Sequence, residues 1–502
     1  MQRVLSVTKT NRLILAAFAF LAVLAFGSGR AHAATLDVSG SCPLGDAIIS
    51  LNNAADENSC GSSGIYGTND TVNIPAGTYT LSADLPNIYG VVSINGAGMG
   101  QTIINGGAST GDIFKFLGSG FTLSNLSITN YDYAAVNISV NDPIPLSFQN
   151  IEIDGQVDSG SSPTTAITID MPGDGGTISM SNIYIHDYDI NTVILADFAG
   201  MIAVSHNGGG TLTIAVENIT IANIDSDVGD EATYGIVFLN SNGNVNATVT
   251  NATVENFQSQ GFTAPFVSVV ESDDHPVSSN VIVRNATITG LRGFTGVQNN
   301  TDGVPSAAFY ALGSAYRVGD IASSTIDVQN SLFANNLNDG TSNNCAALDL
   351  TPAMGGEGST TVAINSLGHN MSDDSSCTSF TQPGDKQNVN NIVSTLGSLQ
   401  DNGGAVPTRA LLSGSPAITA GSAVLGITTD ARGVARPASC PSVGSYEVEG
   451  AVCAATTTNA NTNAGNAAAP NTGIGSTSIM LAVIAGILGF ASLGYIFATK
   501  RV

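Results

Sequence analysis

Phe121-Thr122-Leu123-Ser124-Asn125-Leu126-Ser127-Ile128-Thr129-Asn130 decides the fold. Apolar and polar residues alternate up to Asn125, and a short apolar-x-apolar step on Leu126 and Ile128 leads to a second Asn. The figure recurs as LSFQN-IEIDG around Asn150, ISMSN-IYIHD around Asn182 and IAVEN-ITIAN around Asn218. TVTN-ATVEN follows at Asn251, VIVRN-ATITG at Asn285, IDVQN-SLFAN at Asn330 and VAIN-SLGHN at Asn365. The spacings are 25, 32, 36, 33, 34, 45 and 35 residues, about 34 on average. Period-2 alternation predicts strands with one buried face. Asn tolerates the left-handed conformation that turns need. The residues five places on (Asn130, Gly155, Asp187, Asn223, Asn256, Gly290, Asn335, Asn370) predict a second corner. No single copy can bury its apolar face, so copies must stack. The predicted architecture is an all-β parallel β-helix in which the eight Asn side chains form a hydrogen-bonded ladder. A β-sandwich array would need hairpin turns every 8–12 residues or so, and it does not explain the constant offset between the two corners. Several copies also read Asn-x-Ser/Thr, a glycosylation acceptor; the fixed offset favours the turn reading.

Composition agrees with a coil. Of 502 residues, 57 are Gly, none is Trp and only 11% are charged, a poor set for helices. Hydrophobic residues make up 43%, enough for a large core. Fourteen basic residues against 39 acidic ones give a net charge of −25, which excludes the footprint of a nucleic-acid binder.

Both termini read as addresses. Residues 1–33 combine Arg3, Lys9 and Arg12 with an apolar run Leu13–Phe26 and the small-residue site Ala31-His32-Ala33, the order of a secretory signal peptide. Residues 451–475 are an uncharged Ala/Thr/Asn linker, expected to be disordered, that ends in Pro470-Asn471-Thr472-Gly473. Residues 476–502 contain the apolar run Ile479–Ala498, long enough to cross a bilayer, closed by Lys500 and Arg501. This order resembles the cell-wall sorting signal of sortase substrates, with Ala469 where that family carries Leu. The resemblance implies cleavage at Thr472-Gly473 and attachment to the wall. Without it, the same tail is a plain transmembrane anchor in the cell membrane. Six of the 14 basic residues and none of the 39 acidic ones lie outside 34–472, so that span carries a net −31. Such a surface repels anionic polymers.

Cys42, Cys60, Cys345, Cys377, Cys440 and Cys453 are an even set in an exported chain, so disulfides are expected. Of the 15 possible connectivities, pairing within the three sequence-local couples is preferred. None has the Cys-x-x-Cys spacing of a zinc site.

The flanks carry a further resemblance. Cys42-Pro43-Leu44-Gly45-Asp46-Ala47-Ile48 and Asp70-Thr71-Val72-Asn73-Ile74-Pro75-Ala76-Gly77-Thr78-Tyr79 resemble the Cys-Ser-Leu-Arg-Glu-Ala module that opens many secreted bacterial β-helix proteins. Pro43 and Gly45 depart from it. Ala47 to Asn53 is the expected capping helix within residues 34–95, ahead of the β-helix proper at 96–395. Residues 396–450 contain Asp430-Ala431-Arg432-Gly433-Val434-Ala435-Arg436-Pro437 and Gly444-Ser445-Tyr446-Glu447. They resemble the C-terminal module of choice-of-anchor surface proteins. The resemblance implies a right-handed, pectate-lyase-like β-helix displayed on a cell surface.

That fold also hosts polysaccharide lyases and hydrolases. Two carboxyls or a Ca²⁺-and-base set are required. Asp273, Asp274, His275 and Arg284, with Asp302 of Asn300-Thr301-Asp302, are the candidate catalytic group, on the expectation that they meet on one loop face. The family's motif order is not kept. Asp225, Asp227, Asp230 and Glu231 are candidate Ca²⁺ ligands. His186 with Asp187 and Asp189 reads as a polar corner, and with five His in the chain a histidine metal site is not expected. Tyr131, Tyr133, Tyr184 and Tyr188 either line a glycan-binding face or stack between coils. The expected role is non-enzymatic: a surface-anchored stalk for adhesion or for contact with the cell envelope, a glycan or a host surface. The alternative is an extracellular polysaccharide lyase or glycoside hydrolase.

Overall fold

The computed structural model describes residues 33–453, except 68, 108–110, 158–162, 164, 191–197, 228–231, 295–304 and 353–354. The segment expected to be a signal peptide, the Pro-Asn-Thr-Gly motif and the apolar tail lie outside the described residues. Among those described, no helix is long and apolar enough to cross a membrane.

Parallel strands stack into two long sheets, the arrangement of a β-helix solenoid. One sheet of 19 strands carries both flanks of each Asn corner, and one of 8 strands closes the coil behind it. Strand Gly120–Thr129 pairs with Ile144–Asp154, then Gly175–Ile190, then Thr211–Ser226, each step parallel and one coil on. The inward residues form ladders. Ile128, Ile153, Ile185, Ile221, Val254, Ile288 and Phe333 follow one another in register, and all are fully buried. Each such side chain contributes about 1.5–3 kcal/mol by leaving water.

The corners explain why the repeat needs Asn. Asn125, Asn150, Asn182, Asn218, Asn251, Asn285 and Asn330 all have φ between 50° and 60°, the left-handed region that Asn enters at least cost. Their amides then bond along the stack. Asn125 Nδ2 donates to Asn95 Oδ1 at 2.7 Å, and Asn150 to Asn125 at 2.7 Å. Asn182 donates to Asn150 at 2.8 Å, Asn218 to Asn182 at 3.0 Å and Asn251 to Asn218 at 3.1 Å. Asn365 is not part of the ladder. It stands in the Ser359–Gly368 strand opposite Asp327, three residues before the Asn330 position, and donates to that carboxylate; with one further residue inserted after Val328, the corner falls on His369, at φ 58°. At the second corner, Asn130, Asp187, Asn223, Asn256, Gly290 and Asn335 adopt positive φ, whereas Gly155 and Asn370 do not. Gly155 is small for another reason: a Cβ there would lie 2.5 Å from the ring of Tyr188 on the next coil.

The helix Leu44–Asn53 lays Leu44, Ala47, Ile48 and Leu51 on the first coil and ends at left-handed Ala54. Cys42–Cys60 ties it down, and Cys345–Cys377 and Cys440–Cys453 are the other two disulfides. Beyond the coils, the antiparallel hairpin Leu396–Gln400/Thr408–Leu411 and the irregular segment after it pack along the flank of the stack. The Asp430-to-Glu447 motif holds this segment together. Arg432 forks onto Asp430 at 2.9 and 2.7 Å and lies over the Tyr446 ring. Arg436 pairs with buried Glu447 at 3.3 Å and donates to Asn251 Oδ1 at 3.1 Å. The ladder thus passes from amide to guanidinium where the C-terminal segment docks.

Asn218→Ala removes two amide bonds and forces a left-handed alanine. At about 1 kcal/mol per bond and 1–2 kcal/mol for the conformation, the loss should be about 3 kcal/mol. Asn218→Gly should recover the conformational part only. Urea midpoints of the three proteins, compared at equal slope, check the split.

Candidate functional site

Residues two and four places after each corner point outward from the strand and stack from coil to coil. In the coils of Asn150 and Asn182 they bring Glu152 and Asp154 beside Tyr184 and His186, since Glu152 opposes Tyr184 and Asp154 opposes His186. The left-handed turn at Asp187 swings its carboxylate back to the imidazole, with His186 Nδ1 at 2.8 Å from Asp187 Oδ2. His186 Nε2 faces Glu152 Oε1 at 3.4 Å, without hydrogen-bond geometry, although the residue is only 8% exposed. Tyr184 stacks on the imidazole at 4.0 Å, Ser127 donates to Glu152 at 2.5 Å, and Asn223 donates to Asp187 at 2.8 Å.

The electrostatics follow from this crowding. Burial disfavours charge on His186, but Glu152, Asp187 and Asp154 outweigh it and hold its pKa above the ordinary imidazole value. The facing His186 imidazole, with the Ser127 hydroxyl, outweighs burial and holds Glu152 below the usual carboxylate range. Burial raises Asp154. Tyr184 is pushed up to about 12 by burial and by the neighbouring carboxylates.

Tyr184 and Asn223 also wall a groove of about 820 Å³ between the coils and the C-terminal hairpin. Glu255, Asn256, Gln258 and Arg292 form its floor, and Ser398, Gln400, Asp401 and Arg409 its other side. The two cations are spent internally. Arg409 pairs with Glu255 at 3.3 Å and donates to Gly397 O and Thr289 Oγ1. Arg292 donates to Leu291 O, Asn335 O and Asn335 Oδ1. Amides are left as a large part of the polar lining, with Asn256 donating to Asn223 and Gln258 to Asn256.

The candidate catalytic group does not assemble. Asp273 and Asp274 pair with Arg317 on a surface where all three side chains are more than half exposed. His275 is exposed beside them, its Nδ1 3.3 Å from Asp273 O. Arg284 lies at the far end of the Val277–Arg284 strand and donates to Gln329. The strand's length separates it from the Asp pair, which the sequence alone did not convey. Asp302 lies outside the described residues, as do Asp230 and Glu231. Asp225 opposes Asp189 across adjacent coils, and its pKa is raised by burial, by Asp227 and by Asp189. Tyr131 and Tyr188 are buried with their hydroxyls in contact, Tyr133 is exposed, and Tyr184 alone of the four borders the groove. His369 is a structural corner, bonded to Ala420 O at 2.8 Å.

Sequence reading passed over Glu152, Asp154, Glu255 and Arg409. Asp154 and Glu255 were within reach, because they and His186 all stand four residues after a corner Asn. No known family model, curated protein or solved structure matches this chain.

Burial raises the Glu255 pKa against the opposing pull of Arg409 and the Leu399 N–H. The folded state therefore binds more protons than the unfolded one between the unfolded and folded pKa values. Stability falls as pH rises through that window and stays reduced above it. Glu255→Gln should remove this component. Its urea midpoint, relative to the parent protein, should rise on going from pH 4 to pH 7, as denaturation at a series of pH values will show.

Proposed function

We propose that this protein is a surface-displayed, right-handed β-helix that binds neutral glycans in the groove beside Tyr184, without cleaving them. The observation that carries the reading is the groove itself. Its volume of about 820 Å³ is that of a ligand site, and its lining is rich in amides, which pair with hydroxyl groups as donor and acceptor at once. The net −31 of residues 34–472 disfavours an acidic glycan. Ca²⁺ at Asp225 and Asp227 is a proposed accessory ion, supplied by oxygen ligands of the right type.

A glycan panel scored for both binding and cleavage, with and without Ca²⁺, tests this reading. Neutral oligosaccharides should bind intact, and Gln258→Ala should weaken binding about five-fold, the equivalent of one hydrogen bond of about 1 kcal/mol. Product formation overturns the non-enzymatic role and restores the lyase or hydrolase alternative.

Display rests on the two terminal segments and on the resemblance to sortase substrates and choice-of-anchor proteins. In this proposal Thr472 becomes the point of attachment to the cell wall. Thr472→Ala should move the protein from the wall fraction to the membrane fraction of the producing cell. A parent protein found wholly in the membrane fraction makes the tail a plain anchor.

A further inference from the structure

The His186 cluster brings together groups that no corner needs. Three carboxylates surround one imidazole that is nine-tenths buried, and one ring nitrogen, Nε2, has no hydrogen bond. Ligand atoms of Asp154, His186 and Asp187 all lie within 4.8 Å of one another. We propose that these three residues bind one divalent transition-metal ion of the zinc class.

The donor set selects the metal. Imidazole nitrogen with carboxylate oxygens suits Zn²⁺, Co²⁺, Ni²⁺ or Cu²⁺, whereas Ca²⁺ and Mg²⁺ take oxygen ligands. Glu152 completes the arrangement. A metal on one ring nitrogen leaves the other as N–H, and Glu152 Oε1, 3.4 Å from Nε2, is placed to accept it. This is the carboxylate–imidazole–metal order in which an outer carboxylate fixes the tautomer and raises ligand basicity. Ser127 and Asn223 hold the Glu152 and Asp187 carboxylates, so the groups are oriented before any ion arrives. The charge also fits, since a dication offsets most of the three negative charges gathered here. Three protein ligands leave a coordination position open, next to the groove that Tyr184 and Asn223 line.

Metal binding to the full chain, purified without a histidine tag, decides the proposal. Titration calorimetry with ZnCl₂ and the visible spectrum with CoCl₂ should each show one equivalent bound, and CaCl₂ should not displace it. Asp154→Asn and His186→Ala should each weaken binding at least ten-fold, and Glu152→Gln ten- to a hundred-fold. His275→Ala, in an exposed loop, should leave binding unchanged. Absence of stoichiometric Zn²⁺ binding, or unchanged affinity in Asp154→Asn, overturns the site. Because Asp154→Asn is isosteric at a half-buried position, it decides the question even if His186→Ala does not fold. Glycan binding is read separately, so failure of one reading leaves the other standing.

Discussion

An asparagine in the left-handed conformation at one corner of each coil from Asn125 to Asn330 is the constraint from which the rest follows. A coil must turn sharply there, and an L-residue pays for positive φ unless its side chain is short and polar. The turn also places a polar group among stacked neighbours, where an unsatisfied amide is costly. Asn meets both demands, since its amide is donor and acceptor together and each copy satisfies the next. The unbroken run from Asn95 to Asn251 locks the coils in register. Isoleucine then falls on isoleucine, and residues at equal offset fall on one another.

Register has a chemical consequence. Outward residues at a given offset are a strand spacing apart, about 4.8 Å, so stacked coils bring like positions within reach of one another. Glu152 lies against Tyr184 and Asp154 against His186, while the same columns meet the C-terminal segment further along. There Thr220 donates to Pro407 O and Thr253 bonds Ser445. The ladder changes partner at the same place. Asn251 Oδ1 accepts from Arg436, and Asn285 is buried without an amide partner. Docking of the C-terminal segment therefore takes over the ladder's bonding at Asn251 and Asn330, not at Asn285, and its hairpin supplies the second wall of the groove.

Legibility in the sequence divides along the same line. The strands, the corners from Asn125 to Asn330 and the capping helix could be read because each repeats a local pattern or carries its own apolar stripe. Asn365 keeps the Asn spacing of the other copies but not their register: it opposes Asp327, and the corner falls four residues on, at His369. Asp154 and Glu255 were legible in principle, since offset from the corner gives position in a column. Sorting residues by proximity in sequence instead drew Asp273, Asp274 and Arg284 together across a whole strand. Arg409 was not legible at all. Its contact with Glu255 joins residues far apart in the chain and depends on how the hairpin lies against the stack.

Charge then explains where four of the arginines stand. Stacking carboxylates at a strand spacing is repulsive, and the chain has 39 acidic residues to place. Arg409 sits against Glu255, Arg432 against Asp430, Arg436 against Glu447 and Arg317 against Asp273 and Asp274. Each of these acids meets a guanidinium, which stays protonated throughout the physiological range. The cluster of Glu152, Asp154 and Asp187 differs, because the group at its centre is an imidazole. An imidazole balances the carboxylates only when it holds a proton or shares a metal ion with them. A guanidinium would neutralise the site permanently and close it, whereas histidine leaves its charge balance open to an ion from solution.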